Sequence, residues 1–252
     1  MQIKSKHYIL SIFITILISI PVSVGTANTE WKSLSKGLEY TKINVNPGVI
    51  HAFRIDPEDY KFGVVTAKEL GKNMSSVESM AKRSRAIVAI NGGFFTPEYE
   101  SLGLLVSDGK TLNPLKKTSW WSIFYVKGET PYIAHTNSFK NDSSILMAVQ
   151  SGPRLVVSGS IPKLKSSFAE RSAICITSKR KVILVATEGL AIQPNDFAEY
   201  LRMSEAKEGL GCHTALNLDG GRSTQIYAKV GSFKLNVPGI NRVTNAVVVH
   251  PK

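Results

Sequence analysis

Cysteine is almost missing from this chain: 252 residues hold two, Cys175 and Cys212, and no CxxC pair. That excludes a cysteine-built zinc module or a CxxC redox centre. Histidine is equally thin. His51, His135, His213 and His250 are dispersed without an HExxH motif, so neither a zinc centre nor any other metal or cofactor is expected. Acidic residues are outnumbered, with 19 Asp and Glu against 31 Lys and Arg, a formal charge of +12. The excess points to an anionic partner, yet the basic residues carry no RNA-binding signature or C2H2 spacing, so nucleic acid is not expected. Beyond the first 27 residues no apolar run is long enough to cross a bilayer.

The first 27 residues read differently. Lys4 and Lys6 precede a nearly unbroken apolar stretch from Tyr8 to Val24, and the small residues Gly25 and Ala27 follow. This is the pattern of a secretory signal peptide over 1–27, with a retained anchor as the alternative. Cleavage would leave 28–252 as one domain, with a formal charge of +10, in the periplasm or outside the cell and without integral membrane association. In such a compartment the two cysteines could pair, although both sit in apolar surroundings where buried thiols are also common.

Period and punctuation predict strands at Val49–Ile55, Lys61–Thr66, Ala86–Ile90, Gly103–Val106, Trp121–Val126, Leu155–Val157, Ser172–Thr177, Lys181–Ala186, Thr214–Leu218 and Ala246–His250. A tight Asp108-Gly109 turn is expected in GLLVSDGKT. One helix should start at Ser75 in a Ser75/Glu78 capping box and end near Arg85. A second should start at Asp196, bury Phe197, Tyr200 and Leu201, and stop before Gly209. The expected class is α+β: a mixed, largely antiparallel twisted sheet with two main helices.

Each helix leads into a short apolar strand that ends on a polar residue and two glycines: AIVAINGG (86–93) and TALNLDGG (214–221). Two such units suggest pseudo-symmetric halves. In a strand, Asn217 and Asp219 share one face while Leu216 and Leu218 take the other. Asn and Asp are disfavoured in strands, so their placement suggests a polar cleft at a sheet edge. The pairs Gly92/Gly93 and Gly220/Gly221 would permit positive φ and expose consecutive amides as anion nests. Arg154, after a Ser-Gly-Pro turn, and Arg171, opening a strand, suit a phosphate or carboxylate.

Taken in order, AINGGFF (89–95), QSGPRLVVSG (150–159), RSAICIT (171–177) and ALNLDGGRST (215–224) resemble the phosphodiester glycosidase family over roughly 45–250. The resemblance implies an exported hydrolase that cleaves the glycosidic bond of a sugar-1-phosphodiester, such as one bearing N-acetylglucosamine, in an envelope or extracellular glycan. Asp219 is then the candidate acid, base or nucleophile, and Arg171, Arg154 and the glycine-turn amides would hold the phosphate. Asn91, Asn217, Ser223 and Thr224 would bind the sugar or position Asp219, and Glu188, just beyond a strand, could supply a second carboxylate. Two other readings share these residues: a non-catalytic binding protein for anionic or phosphorylated glycans, and a phosphodiesterase that cuts the P–O bond.

Overall fold

The computed structural model describes residues 28–252; the expected signal peptide lies outside them. From the N-terminal side come β1 (Lys32–Ser35), β2 (Leu38–Val45), β3 (Gly48–Ile55), β4 (Tyr60–Thr66), α1 (Val77–Ser84) and β5 (Val88–Asn91). Six strands follow: β6 (Leu105–Ser107), β7 (Lys110–Asn113), β8 (Ser122–Lys127), β9 (Thr130–His135), β10 (Ile145–Ser151) and β11 (Arg154–Val156). The last part holds β12 (Ser172–Thr177), β13 (Val182–Glu188), α2 (Pro194–Arg202), β14 (Cys212–Asn217), β15 (Ile226–Val230), β16 (Phe233–Val237) and β17 (Asn245–Pro251).

These strands form three antiparallel sheets, in the orders β1-β2-β3-β13-β12-β14-β11, β7-β6-β10-β8-β9 and β16-β15-β5-β17-β4. The α+β expectation holds. One face of every sheet turns to a shared interior, where Phe53, Leu184 and Leu216 meet Phe124, Val149, Ile90 and Val247. Each fully buried side chain of this size contributes about 2 kcal/mol. The outer face of the first sheet is covered by α2 through Phe197, Ala198 and Leu201. That of the third is covered by α1 through Val77, Met80 and Ala81. Phe139 and Leu115 close over the second sheet.

Both helix starts move from their expected places. Ser76, not Ser75, caps α1, its hydroxyl accepting from the Ser79 amide at 3.2 Å. The Ser75 backbone is taken up in a bridge with Val243, and Glu78 pairs with Lys82 one turn on instead of closing a capping box. In α2, Pro194 occupies the first turn, where a missing N–H does no harm, and carries the start back past Asp196. Six strands were not expected: β1, β2, β9, β10, β15 and β16, whereas β7 is the second arm of the expected Asp108-Gly109 hairpin. Strand β10 is buried along nearly its whole length, so ILMAVQS shows no alternation. The Asp108-Gly109 turn is present, with positive φ at both residues and Ser107 facing Lys110. Cys175 on β12 and Cys212 on β14 form a disulfide across neighbouring strands, with Cα atoms 5.7 Å apart. Among the described residues no helix is long and apolar enough to cross a membrane.

Candidate active site

The two helix–strand–glycine units lie in different sheets, yet their turns meet. Ala246 faces Asn91 across β17 and β5, while Ala173 faces Asn217 across β12 and β14. The ends of β5 and β14 thereby reach the same end of the molecule as the starts of β12 and β17. There Asn91, fully buried, donates from Nδ2 to the Asp219 carbonyl at 2.6 Å. Its Oδ1 accepts from Ser172 Oγ at 2.7 Å and from the Gln225 amide at 3.0 Å. The Asp219 amide in turn donates to the Gly92 carbonyl at 3.1 Å. One amide side chain and one backbone bond thus stitch the halves together at Asp219.

The Asp219 carboxyl is mostly enclosed, and the charged form is disfavoured there. Burial pushes its pKa up to about 6, against hydrogen bonds from the Ser223 hydroxyl and the Gly220 amide that pull it down. The group is therefore ionised at neutral pH but close enough to its pKa to exchange a proton. Beside it, Asn217 donates from Nδ2 to the Gly152 carbonyl at 3.2 Å, while its Oδ1 and Thr224 Oγ1 are buried without a hydrogen-bond partner. Buried polar atoms are normally partnered, so an orphaned carbonyl and hydroxyl beside a carboxylate mark a place built for polar contact. Among the described residues no three His, Cys, Asp or Glu side chains cluster as metal ligands.

The glycines serve another purpose than the sequence suggested. Only Gly221, at φ 60°, adopts the left-handed region; Gly92, Gly93 and Gly220 do not. A Cβ on Gly92 would lie 1.9 Å from Asn245 Oδ1, and one on Gly93 would lie 2.6 Å from the Gln150 carbonyl. Nor are the amides open as nests. Gly92 and Gly93 donate to the backbone and side-chain oxygens of Asn245 at 3.0 Å each, and Gly221 donates to the Glu170 carbonyl at 2.7 Å. These glycines permit close approach of the chain to itself. Gly92→Ala should accordingly lower stability by about 2 kcal/mol by displacing Asn245, which urea denaturation would measure.

Arg171 differs from an open fork as well. It is 8% exposed, donates from Nε to the Ile192 carbonyl at 3.1 Å, and from Nη2 to the Ser167 carbonyl and hydroxyl. Burial pulls its pKa down, and no carboxylate pairs with it among the described residues. Among the described residues only Nη1 is left without a protein acceptor. Arg154 is half-buried on β11 opposite Leu216, likewise without an ion pair.

The structure does not bring Glu188 to Asp219. Strand β13 places Val185 against α2 and Ala186 in the shared interior, so Glu188, two residues past Ala186, follows the interior face. Its carboxylate meets His51 Nε2 at 2.9 Å, and His51 Nδ1 meets the Tyr40 hydroxyl at 2.8 Å. Burial first and Glu188 second push the Tyr40 pKa up to about 12. Sequence reasoning passed over Asn245, Gln225 and Ser172, which hold the turns in place. Asn245 opens its strand as Asn91 ends its own, a polar residue at a strand terminus, and that signal was available.

A family model described as phosphodiester glycosidase matches residues 84–250. YigE of Escherichia coli strain K12, an uncharacterized protein, is 25% identical over 200 residues, 73% of this chain and 76% of that one. The fold is similar to the catalytic domain of zebrafish N-acetylglucosamine-1-phosphodiester alpha-N-acetylglucosaminidase, solved auto-inhibited by its pro-peptide. The TM-score is 0.66 at 17% identity, over 92% of this chain and 91% of that one. A hypothetical protein from Synechocystis gives a TM-score of 0.60 at 17% identity over 89% of this chain, which spans 64% of that structure's length. The ordered motifs, the joined glycine turns and the family match lead to one conclusion: the chain belongs to the phosphodiester glycosidase family.

Proposed function

We propose that the protein is an exported hydrolase that cleaves the bond between the anomeric carbon and the phosphate oxygen of a sugar-1-phosphodiester in an envelope or extracellular glycan. The observation that carries this reading is Asp219: an enclosed carboxylate with a pKa of about 6, fixed at its backbone from both halves of the fold. Ionised at neutral pH, it acts at the anomeric carbon, as a nucleophile or as the base for attacking water. The electron pair of the broken C–O bond leaves on the phosphate, which is already a weak base and needs no general acid. A single carboxylate is then sufficient, in keeping with the engagement of Glu188 by His51. Arg171 Nη1 and Arg154 are assigned to the phosphate, and the buried Asn217 and Thr224 to positioning Asp219.

Hydrolysis of a panel of N-acetylglucosamine-1-phosphodiesters in 18O-labelled water tests this directly. The label is expected on the anomeric hydroxyl of the released sugar. Label on phosphate would mean P–O cleavage and a phosphodiesterase.

A further inference from the structure

The three most exposed large apolar side chains among the described residues are Ile240 at 73%, Phe168 at 70% and Trp120 at 56%. All three sit on loops at the Asp219 end. Trp120 precedes β8, Phe168 precedes β12 and Ile240 precedes β17. Their loops border the Asp219 turn: a Cβ on Gly152 would touch Trp121, Asn217 reaches the Gly152 carbonyl, Gly221 lies against Ala169, and the Asn241 amide donates to the Arg222 carbonyl.

None of these tips hangs loose. Gln150 holds the Trp120 loop through both the amide and the carbonyl of Lys116, at 3.0 and 2.7 Å. Arg171 holds the Phe168 loop through Ser167. Gln225 holds the Ile240 loop through the Asn241 carbonyl at 3.0 Å. Three buried polar side chains, Gln150, Arg171 and Gln225, therefore fix the loops that carry the three apolar tips.

Basic residues outnumber acidic ones on the loops that carry the tips, where Glu170, two residues past Phe168, accepts from the Gly189 amide. Lys116 and Lys117 accompany Trp120, Lys163 and Lys165 accompany Phe168, and Arg222 and Arg242 flank Ile240. All six are exposed and none forms a salt bridge among the described residues; at the opposite end Lys36, Lys127, Lys181 and Lys252 pair with Asp59, Asp142, Asp56 and Glu129, while Lys110, Lys179 and Arg180 do not pair. Of the acids at the Asp219 end, Glu69, Glu98 and Glu100 lie beyond β4 and β5, where Glu100 pairs with Lys68, while on the Phe168 side, besides Glu170, Glu188 meets His51 and Asp196 sits in the first turn of α2.

We propose that this end docks on an anionic phospholipid surface, the three apolar tips entering the headgroup region while the six cations meet lipid phosphates. Apolar insertion and cationic attraction add at a membrane surface, and side chains of these kinds suit that boundary. A soluble glycan fits less well, since Ile240 has no ring to stack on a sugar. Docking would present the Asp219 cleft to phosphodiesters carried at the membrane, but it stands independently of the chemistry at Asp219.

The test is co-sedimentation of residues 28–252, which hold all three sheets, with vesicles of phosphatidylcholine alone or mixed with phosphatidylglycerol. Binding is expected to the anionic vesicles, falling as salt rises. The triple variant Trp120→Ser/Phe168→Ser/Ile240→Ser and the double variant Lys163→Glu/Lys165→Glu should each bind about tenfold more weakly with unchanged melting temperatures. Leu146→Ser, at the opposite end, should bind as wild type, and so should Asp219→Asn, which separates docking from hydrolysis. Equal sedimentation with neutral and anionic vesicles, retention by the triple variant, or capture by heparin without vesicle binding would each overturn the proposal.

Discussion

Asp219→Asn is expected to remove hydrolysis by roughly three orders of magnitude while making the protein more stable at neutral pH. The two effects share one cause. In the folded state burial raises the carboxyl from its ordinary value of 3.8 to about 6. Between these two values the folded chain binds more protons than the unfolded one, so stability falls as pH rises through the window. Above it the folded state bears a penalty of about 3 kcal/mol for holding an ionised Asp219; below pH 4 there is none. An asparagine carries no charge at any pH. Urea denaturation should show the variant about 2 kcal/mol more stable than wild type at pH 7 and equal to it at pH 4. A variant less stable than wild type at pH 7 would sink this account, because Asp219 would then be a structural partner and not a strained functional group. For wild type, the rate should climb about tenfold per unit below pH 6 and level off above it, as expected of a group that works ionised.

Asn91→Ala is expected to lower stability by about 4 kcal/mol, because three buried groups lose their partner at once: the Asp219 carbonyl, the Ser172 hydroxyl and the Gln225 amide. For a chain of this length that shifts the melting temperature by roughly 10 °C. Activity should fall further than stability does, since Asn91 holds the residue whose carboxylate is proposed to react. Turnover measured well below the new melting point separates the two losses. If the folded variant turns over substrate at the wild-type rate, Asn91 does not position Asp219.

Much of this site was legible in the stretch Leu216–Gln225, because strand alternation alone separates Asn217 and Asp219 from the leucines between them. The repeated helix, strand and glycine order was legible too, and it led to Asn91 although that residue lies 128 positions from Asp219. What could not be read was anything that depends on a partner remote in sequence. Gly92 and Gly93 look alike whether they permit positive φ or close contact, and the deciding group is Asn245, about 150 residues on. Arg171 was read as a ligand fork because nothing in RSAICIT shows that Ser167 and the Ile192 carbonyl would claim its nitrogens. Glu188 was chosen for its type; its face depends on where α2 covers the sheet, and its partner His51 lies on another strand. Among the missed strands β10 follows the same rule, being buried on both faces by neighbours, whereas β16 carries its own signal in the alternation of Phe233, Leu235 and Val237 with Lys234 and Asn236.

The bonds across Asp219 have a consequence for how this molecule fails. The Asp219 amide ends on Gly92 and the Asn91 side chain ends on Asp219, so neither half can open without dissolving the point where the two join. Hydrolysis at Asp219 would therefore report on cooperativity: a partly melted state with one sheet displaced has no working centre, and neither mild heating nor low denaturant should soften activity ahead of the fold. The Asp219 amide proton, held between the halves, should exchange with solvent only through global opening. Tuning to new substrates is left to the outer loops, while the keystone beneath them tolerates little change.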